Sequence, residues 1–197
     1  MESHFFATLS RMKYIERWAL MRSSRPENIS EHSLEVAMIA HALAVIGNVR
    51  YNRAVDAEKA ALIGLYHDAS EIITGDMPTP VKYFNANIRN AYKDVESIAN
   101  ERLLSQLPED LRPAYQDIFH PDKSGEDALL HRLVKAADKL SALIKCIEEE
   151  RSGNQEFRSA KESTERSLKY MAAELPEVRD FLRDFLPSYG KTLDELT

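Results

Sequence analysis

The sequence predicts an all-α protein, and three features carry that reading. Six glycines and eight prolines in 197 residues are few chain breakers. Ala, Leu and Glu, which are strong helix formers, are abundant. Apolar residues recur at spacings of three and four, and no convincing alternating strand pattern appears. The length predicts a single domain over residues 1–197. About seven or eight helices are expected, joined by short loops.

His4 to Trp18 reads as a first helix with Phe5, Leu9, Met12 and Ile15 along one side. Pro26 and several small polar residues make Ala19 to Ile29 a loop. Ser30 is placed to cap a second helix, which should end near Gly47. Asp56 should cap a third helix that runs to about Thr74 and stops at Gly75. Pro78 and Pro80 deny helix to the stretch from Asp76 to Pro80. A long fourth helix is expected from Asn85 to Leu107, with Ile88, Val95 and Leu103 inward. Pro108 opens a short fifth, and a loop follows from His120 to Gly125. The sixth spans Glu126 to Ser152 and stops at Gly153. The last two, Gln155 to Leu175 and Pro176 to Leu186, are the most highly charged.

Composition narrows the function classes. Twenty-six Lys and Arg against 32 Asp and Glu give a net charge of −6. Without a basic run, a nucleic-acid polymer is not an expected partner, although a local basic pocket for one small anion is allowed. Cys146 is the single cysteine, so it forms no internal disulfide and fits a reducing compartment. No stretch approaches the roughly 18 apolar residues of a membrane helix. Met1-Glu2-Ser3-His4 lacks the basic-then-apolar layout of a signal peptide. The expectation is a soluble cytoplasmic protein with no membrane partner.

The informative residues are polar ones on apolar stripes. His32, Val36, Ile39, Leu43 and Ile46 share one face of the second helix, so His32 opens its inward stripe, whereas His41 points outward. His67 and Glu71 share a face of the third, with Asp68 beside His67 and core-like neighbours at Leu62, Leu65, Ala69, Ile72 and Ile73. In the sixth, Asp138 interrupts the row Leu130, Val134 and Ser141. Singly, an inward histidine is most often a satisfied core residue, and a helix aspartate is usually solvated or paired. Together, two imidazoles and two carboxylates suit a borderline-to-hard divalent ion such as Mn, Co, Zn or Fe. His4, His41, His120 and His131 are read as structural.

Glu31-His32-Ser33, Tyr66-His67-Asp68-Ala69-Ser70-Glu71 and Ala137-Asp138-Lys139 resemble the H…HD…D signature of the HD-domain phosphohydrolases. Ser3-His4-Phe5-Phe6, Arg17-Trp18, the run Ile29 to Leu34 and the run Thr74 to Phe84 are similar to the bacterial 5′-deoxynucleotidases of the YfbR type. The resemblance extends over nearly the whole chain and is weakest toward the C-terminus. It implies a compact helical HD-domain fold, one divalent metal cation (Co, Mn or Zn foremost) and a homodimer. The implied reaction is hydrolysis of deoxyribonucleoside 5′-monophosphates, such as dAMP, to deoxynucleoside and phosphate, with deoxy preferred over ribo. His32, His67, Asp68 and Asp138 are the implied metal ligands, with His32, Asp68 and Asp138 also at the substrate. Arg17 would orient the phosphate and Trp18 would pack on the sugar. Asp76, Met77, Pro78 and Thr79 would line the nucleotide pocket.

These residues suit that chemistry. Phosphate-monoester hydrolysis is very slow in water, so positioning and charge stabilisation must do most of the work. Glu71, one turn beyond His67, is placed to accept the proton of the attacking water. Asp76 is the rival base, or else an acceptor for the sugar 3′-hydroxyl. Arg17 offers a planar fork matching two phosphate oxygens. The Trp18 ring against C2′ would exclude a 2′-hydroxyl, a discrimination of about 10²-fold for an apolar wall. Lys82 is either a phosphate neutraliser or a solvated lysine. Two alternatives stand beside this reading: another HD phosphohydrolase acting on a different nucleotide phosphoester, and a non-enzymatic helical scaffold that holds a structural metal.

Overall fold

A computed structural model of the chain describes residues 2–82, 84–120, 124 and 127–197. Tyr83, most of the expected loop after His120, and Glu126 lie outside the described residues. Among those described, the chain is helical with no strand beyond one isolated antiparallel bridge, Glu16 to Asn28.

Helix α1 (Phe5–Leu9) continues into a 3-10 turn, Ser10–Tyr14, and the chain then leaves helical conformation. The helix expected as far as Trp18 is therefore shorter. Ile15 is extended, and Trp18 sits at φ +61°, which no right-handed helix tolerates. The predicted stripe survives the change: Phe5, Leu9 and Met12 are buried in a small cluster with Leu103, Leu104 and Phe119.

Asn28, not Ser30, caps α2 (Ile29–Tyr51). Its side chain accepts from the Glu31 N–H, and the Glu31 carboxylate accepts from the Asn28 N–H, a reciprocal capping box. The helix passes Gly47 and ends at left-handed Asn52. Gly47 instead lies against the Glu177 side chain, which a Cβ would meet at 3.1 Å. By length and mean hydropathy (1.3) α2 matches a membrane span, contrary to the sequence expectation, but 56% of that window is buried in the protein. It is the central core helix, covered by α3 (Ala57–Tyr66), which Asp56 caps, and by α8 (Asp127–Arg151). Gly64 allows α3 to approach closely, because a Cβ there would lie 2.9 Å from the Ala37 Cα.

The third helix does not run unbroken to Thr74. It stops at Tyr66, turns through His67 to Ser70, and restarts as the single turn α4 (Glu71–Thr74), ended by Gly75 at φ +70°. The inward face also differs in part from the expected one. Ala69 is buried, whereas Leu62, Leu65 and Ile73, expected in the core, are exposed. Another single turn, α5 (Thr79–Lys82), contains Pro80, so the irregular stretch ends at Pro78. A proline in the first turn removes no helical hydrogen bond.

Helix α6 (Ala86–Leu104), capped by Asn85, turns Tyr92, Ala99 and Leu103 inward, and Val95 is exposed on its margin. Helix α7 (Arg112–Phe119) begins after a turn that Pro108 opens. Helix α8 gives way to Gly153 at φ +82°, and α9 (Arg158–Glu174) and α10 (Pro176–Asp184) close the larger core. That core joins Val36, Ile39 and Leu43 of α2 to Leu130, Leu133 and Leu140 of α8, with Leu168 of α9 and Val178 of α10.

Candidate active site

His32 enters from the first turn of α2, His67 and Asp68 from the break before α4, and Asp138 from the middle of α8. His32 Nε2 lies 3.3 Å from Asp138 Oδ1 and 3.5 Å from Asp68 Oδ2. His67 Nε2 lies 3.0 Å from Asp68 Oδ2. The ligand atoms of His32, His67 and Asp68 all fall within 4.8 Å of one another. Both Nε2 atoms are buried and make no hydrogen bond, although carboxylate oxygens are this close. His67 is oriented from behind: its Nδ1 lies 2.7 Å from the Gly64 carbonyl, which can only accept, so Nδ1–H is the donor. Orphaned imidazole nitrogens facing two carboxylates form a donor set that fits a borderline-to-hard divalent ion.

The electrostatics separate the two imidazoles. Burial and the Arg17 charge hold His32 below its ordinary range, so it is neutral. Burial acts the same way on His67, but Asp68 and Asp138 outweigh it and raise the imidazole to about 9. Asp68 resists the upward pull of burial because His67 beside it, chiefly through its charge, holds it down to about 2. Glu71, the first residue of α4, is buried, with Oε2 lacking a hydrogen-bond partner. Burial, then the charges of Asp68 and Asp76, push its carboxyl up to about 9. At neutral pH it therefore holds its proton in the metal-free protein.

Arg17 and Trp18 sit on the loop that the sequence read as helix end and linker. The loop is pinned by the Arg17 N–H to the Glu27 carbonyl at 2.8 Å and the Ile29 N–H to the Ile15 carbonyl at 2.9 Å. One oxygen of Glu27 holds both side chains, accepting from the Arg17 guanidinium at 2.6 Å and from the Trp18 indole N–H at 3.1 Å. The Trp18 backbone N–H donates to Asp76 at 3.2 Å, and its ring meets Phe157 edge-on at 5.2 Å. Positive φ in an aromatic residue costs about 1–3 kcal/mol and persists only where the surroundings over-determine it. Beneath the loop, the buried Glu149 carboxylate accepts from the Ser24 N–H at 2.8 Å and from Lys145 at 2.5 Å, and Lys145 also donates to the Arg25 carbonyl at 2.5 Å.

A cavity of about 510 Å³ opens beside these groups. Arg17, Trp18, Asp76, Met77, Pro78, Thr79 and Asp138 line it, as do Ser159, Ser163, Thr164 and Ser167 of α9. Lys82 is engaged elsewhere, paired with Glu96 at 2.8 Å and lying over the Tyr92 ring. Sequence reasoning missed Glu27, Lys145, Glu149 and the α9 hydroxyls. The four-residue spacing of Ser159, Ser163 and Ser167 was a readable signal, whereas Glu27 offered none.

A family model described as 5′-deoxynucleotidase YfbR-like matches residues 4–189. The chain belongs to the YfbR-like 5′-deoxynucleotidase family. Within this family, the 5′-deoxynucleotidase of Enterobacter sp. (strain 638) is 50% identical over 196 residues, covering 100% of this chain and 96% of that protein. The 5′-deoxynucleotidase YfbR of Shigella flexneri is 50% identical over 198 residues, with the same coverage of 100% and 96%. Solved structures share the fold. An HD-domain phosphohydrolase from Listeria innocua superposes with a TM-score of 0.78 at 24% identity, covering 94% of this chain and 88% of that one. A cyanophage S-2L HD phosphohydrolase, solved bound to dA and one catalytic Zn2+, gives a TM-score of 0.63 at 20% identity, covering 94% and 96%.

Proposed function

We infer that this YfbR-like protein, read as one domain, hydrolyses deoxyribonucleoside 5′-monophosphates to deoxynucleoside and phosphate. The observation that carries the reading is the convergence of His32, His67, Asp68 and Asp138 beside the cavity that holds Arg17 and Trp18. In this reading His32, His67, Asp68 and Asp138 would hold one divalent cation, which would supply Lewis-acid polarisation of the phosphoryl group and make water more acidic. Co, Mn and Zn all suit the donor set, and the cyanophage phosphohydrolase of this fold carries one catalytic Zn2+.

Glu71 takes a proton from the attacking water as the water oxygen bonds to phosphorus and the P–O5′ bond breaks, and it returns that proton to O5′, so that the deoxynucleoside leaves neutral. Burial is the main cause of the raised Glu71 carboxyl, and a cation held by Asp68 would remove part of the remaining push, favouring the carboxylate form that a general base needs. Arg17, steadied by Glu27, binds two phosphate oxygens. Asp76 remains free on one side to accept from the sugar 3′-hydroxyl. The Trp18 ring excludes a 2′-hydroxyl and so favours deoxy over ribo substrates. The cavity volume suits a mononucleotide.

The reading includes a homodimer in the cytoplasm. Leu34, Met38, Val45 and Val49 leave an exposed apolar stripe on α2. Antiparallel pairing with a second copy about His41 and Ala42 opposes Leu34 with Val49 and Met38 with Val45. The same pairing brings Glu31 beside the Arg50 and Arg53 end of the other copy.

Glu71→Gln tests the mechanism. It should leave zinc binding and folding intact while lowering dAMP hydrolysis by about 10²-fold or more. Near wild-type turnover would remove Glu71 from the role of base.

A further inference from the structure

Two polar residues near the centre have no task in the mechanism above. Ser141 is completely buried on α8 among Leu140, Ala142 and Ile144, and Glu35 is half-buried on α2, one turn after His32. They form a continuous chain with the imidazole. His32 Nδ1 lies 3.0 Å from Ser141 Oγ, and Ser141 Oγ lies 2.5 Å from Glu35 Oε2. Glu35 lines a separate cavity of about 140 Å³ with Arg25, Glu27, Glu31 and Glu148.

We propose that Ser141 and Glu35 are positioning residues that fix the His32 tautomer, so that Nε2 presents a lone pair to the cation. The inference rests on the metal-site reading given above. The direction of the chain follows from donor counting. A carboxylate only accepts, so the one hydroxyl proton of Ser141 goes to Glu35. The Ser141 oxygen is then left as an acceptor, and His32 Nδ1 must carry the hydrogen. Nε2, which has no hydrogen-bond partner, is therefore bare and faces Asp68 and Asp138. Gly64 does the same for His67 with a backbone carbonyl, but α2 supplies no free carbonyl to His32, because the carbonyls of its first turn serve the helix. A buried hydroxyl on the neighbouring helix takes that part, and Glu35 orients the hydroxyl. Burial raises the Glu35 carboxyl, and the Ser141 hydrogen bond counters it.

Zinc affinity is measured by competition with a chromophoric chelator, and the His32 tautomer by long-range 15N NMR of the metal-free protein. Ser141→Ala, Glu35→Gln and, as a reference, His32→Ala are compared with wild type. Loss of such an outer partner lowers metal affinity by about 10–100-fold, which is the result expected for Ser141→Ala. Glu35→Gln keeps an acceptor oxygen, so it should retain the Nδ1–H signal with a smaller loss. Zinc binding by Ser141→Ala within about twofold of wild type, while His32→Ala loses it, overturns the relay and leaves the metal site standing. Undiminished binding by His32→Ala overturns the metal reading and the relay with it. If Ser141→Ala does not fold, Glu35→Ala decides: a mixed His32 tautomer supports the relay, and an unchanged one overturns it.

Discussion

Glu27→Ala is the most revealing single perturbation, because one carboxylate oxygen restrains both Arg17 and Trp18, the side chains proposed to bind the phosphate and to pack on the sugar. The Arg17–Glu27 bond is 2.6 Å long between side chains only 12% and 14% exposed, and the indole bond is 3.1 Å. A hydrogen bond to a charged group contributes about 1.5–3 kcal/mol net, so the two together restrain the pair by about 3 kcal/mol at the lower bound. Without Glu27, Arg17 regains rotamer freedom, and Trp18 can relax from its left-handed backbone toward an unstrained one. A loss of about 3 kcal/mol in transition-state orientation is about 10²-fold in kcat/KM for dAMP. An opposing effect exists, since removing a negative charge beside the phosphate site favours substrate binding. Positioning should win in kcat while KM changes little. Steady-state phosphate release on dAMP and AMP reads both, and the dAMP to AMP ratio should narrow as Trp18 loosens. If Glu27→Ala keeps kcat/KM within about threefold of wild type, the clamp is not functional and the reasoning fails.

Trp18→Ala should erode the dAMP to AMP ratio more than it slows dAMP turnover, and an unchanged ratio would remove the steric gate. Glu149 gives a pH signature. Burial alone would raise its carboxyl, but hydrogen bonds from Lys145, Ser24 and Asn154 hold it at about 2 against an ordinary 4.5. The folded value lies below the unfolded one, so this stabilisation, at most about 3 kcal/mol, is present above pH about 5 and is lost as pH falls toward about 2. The stability gap between wild type and Glu149→Gln, from urea midpoints, should therefore shrink on acidification; a constant gap contradicts the assignment. Met38→Glu should halve the particle mass in sedimentation toward the 22.5 kDa of one chain, and an unchanged dimer moves the interface off α2.

The site was legible where helical periodicity meets polarity. His32 on the stripe of Val36, Ile39 and Leu43, and Asp138 in the row of Leu130, Val134 and Ser141, are inward because their neighbours must be. The break at His67 was not legible, since Ala69 to Ile73 read equally well as continuing helix, and tertiary packing chose otherwise. Asn28 and Ser30 are both good caps, and the reciprocal bond with Glu31 decides between them. Gly47 looked like a stop signal, yet its missing Cβ makes room for Glu177. Glu27 was opaque because its role depends on a loop folding back on itself, which no local pattern encodes. Met77, Pro78 and Thr79, singled out in the sequence, line the 510 Å³ cavity, while its wall on α9 came only with the fold.

The central claim is tested most directly by phosphate release from dAMP and AMP, side by side, using metal-stripped protein with Mn, Co, Zn or Mg added back. The account predicts no release without metal, restoration by one or more of the ions, and faster hydrolysis of dAMP than of AMP. Silence on both substrates with every ion, or equal rates on the two, would contradict it.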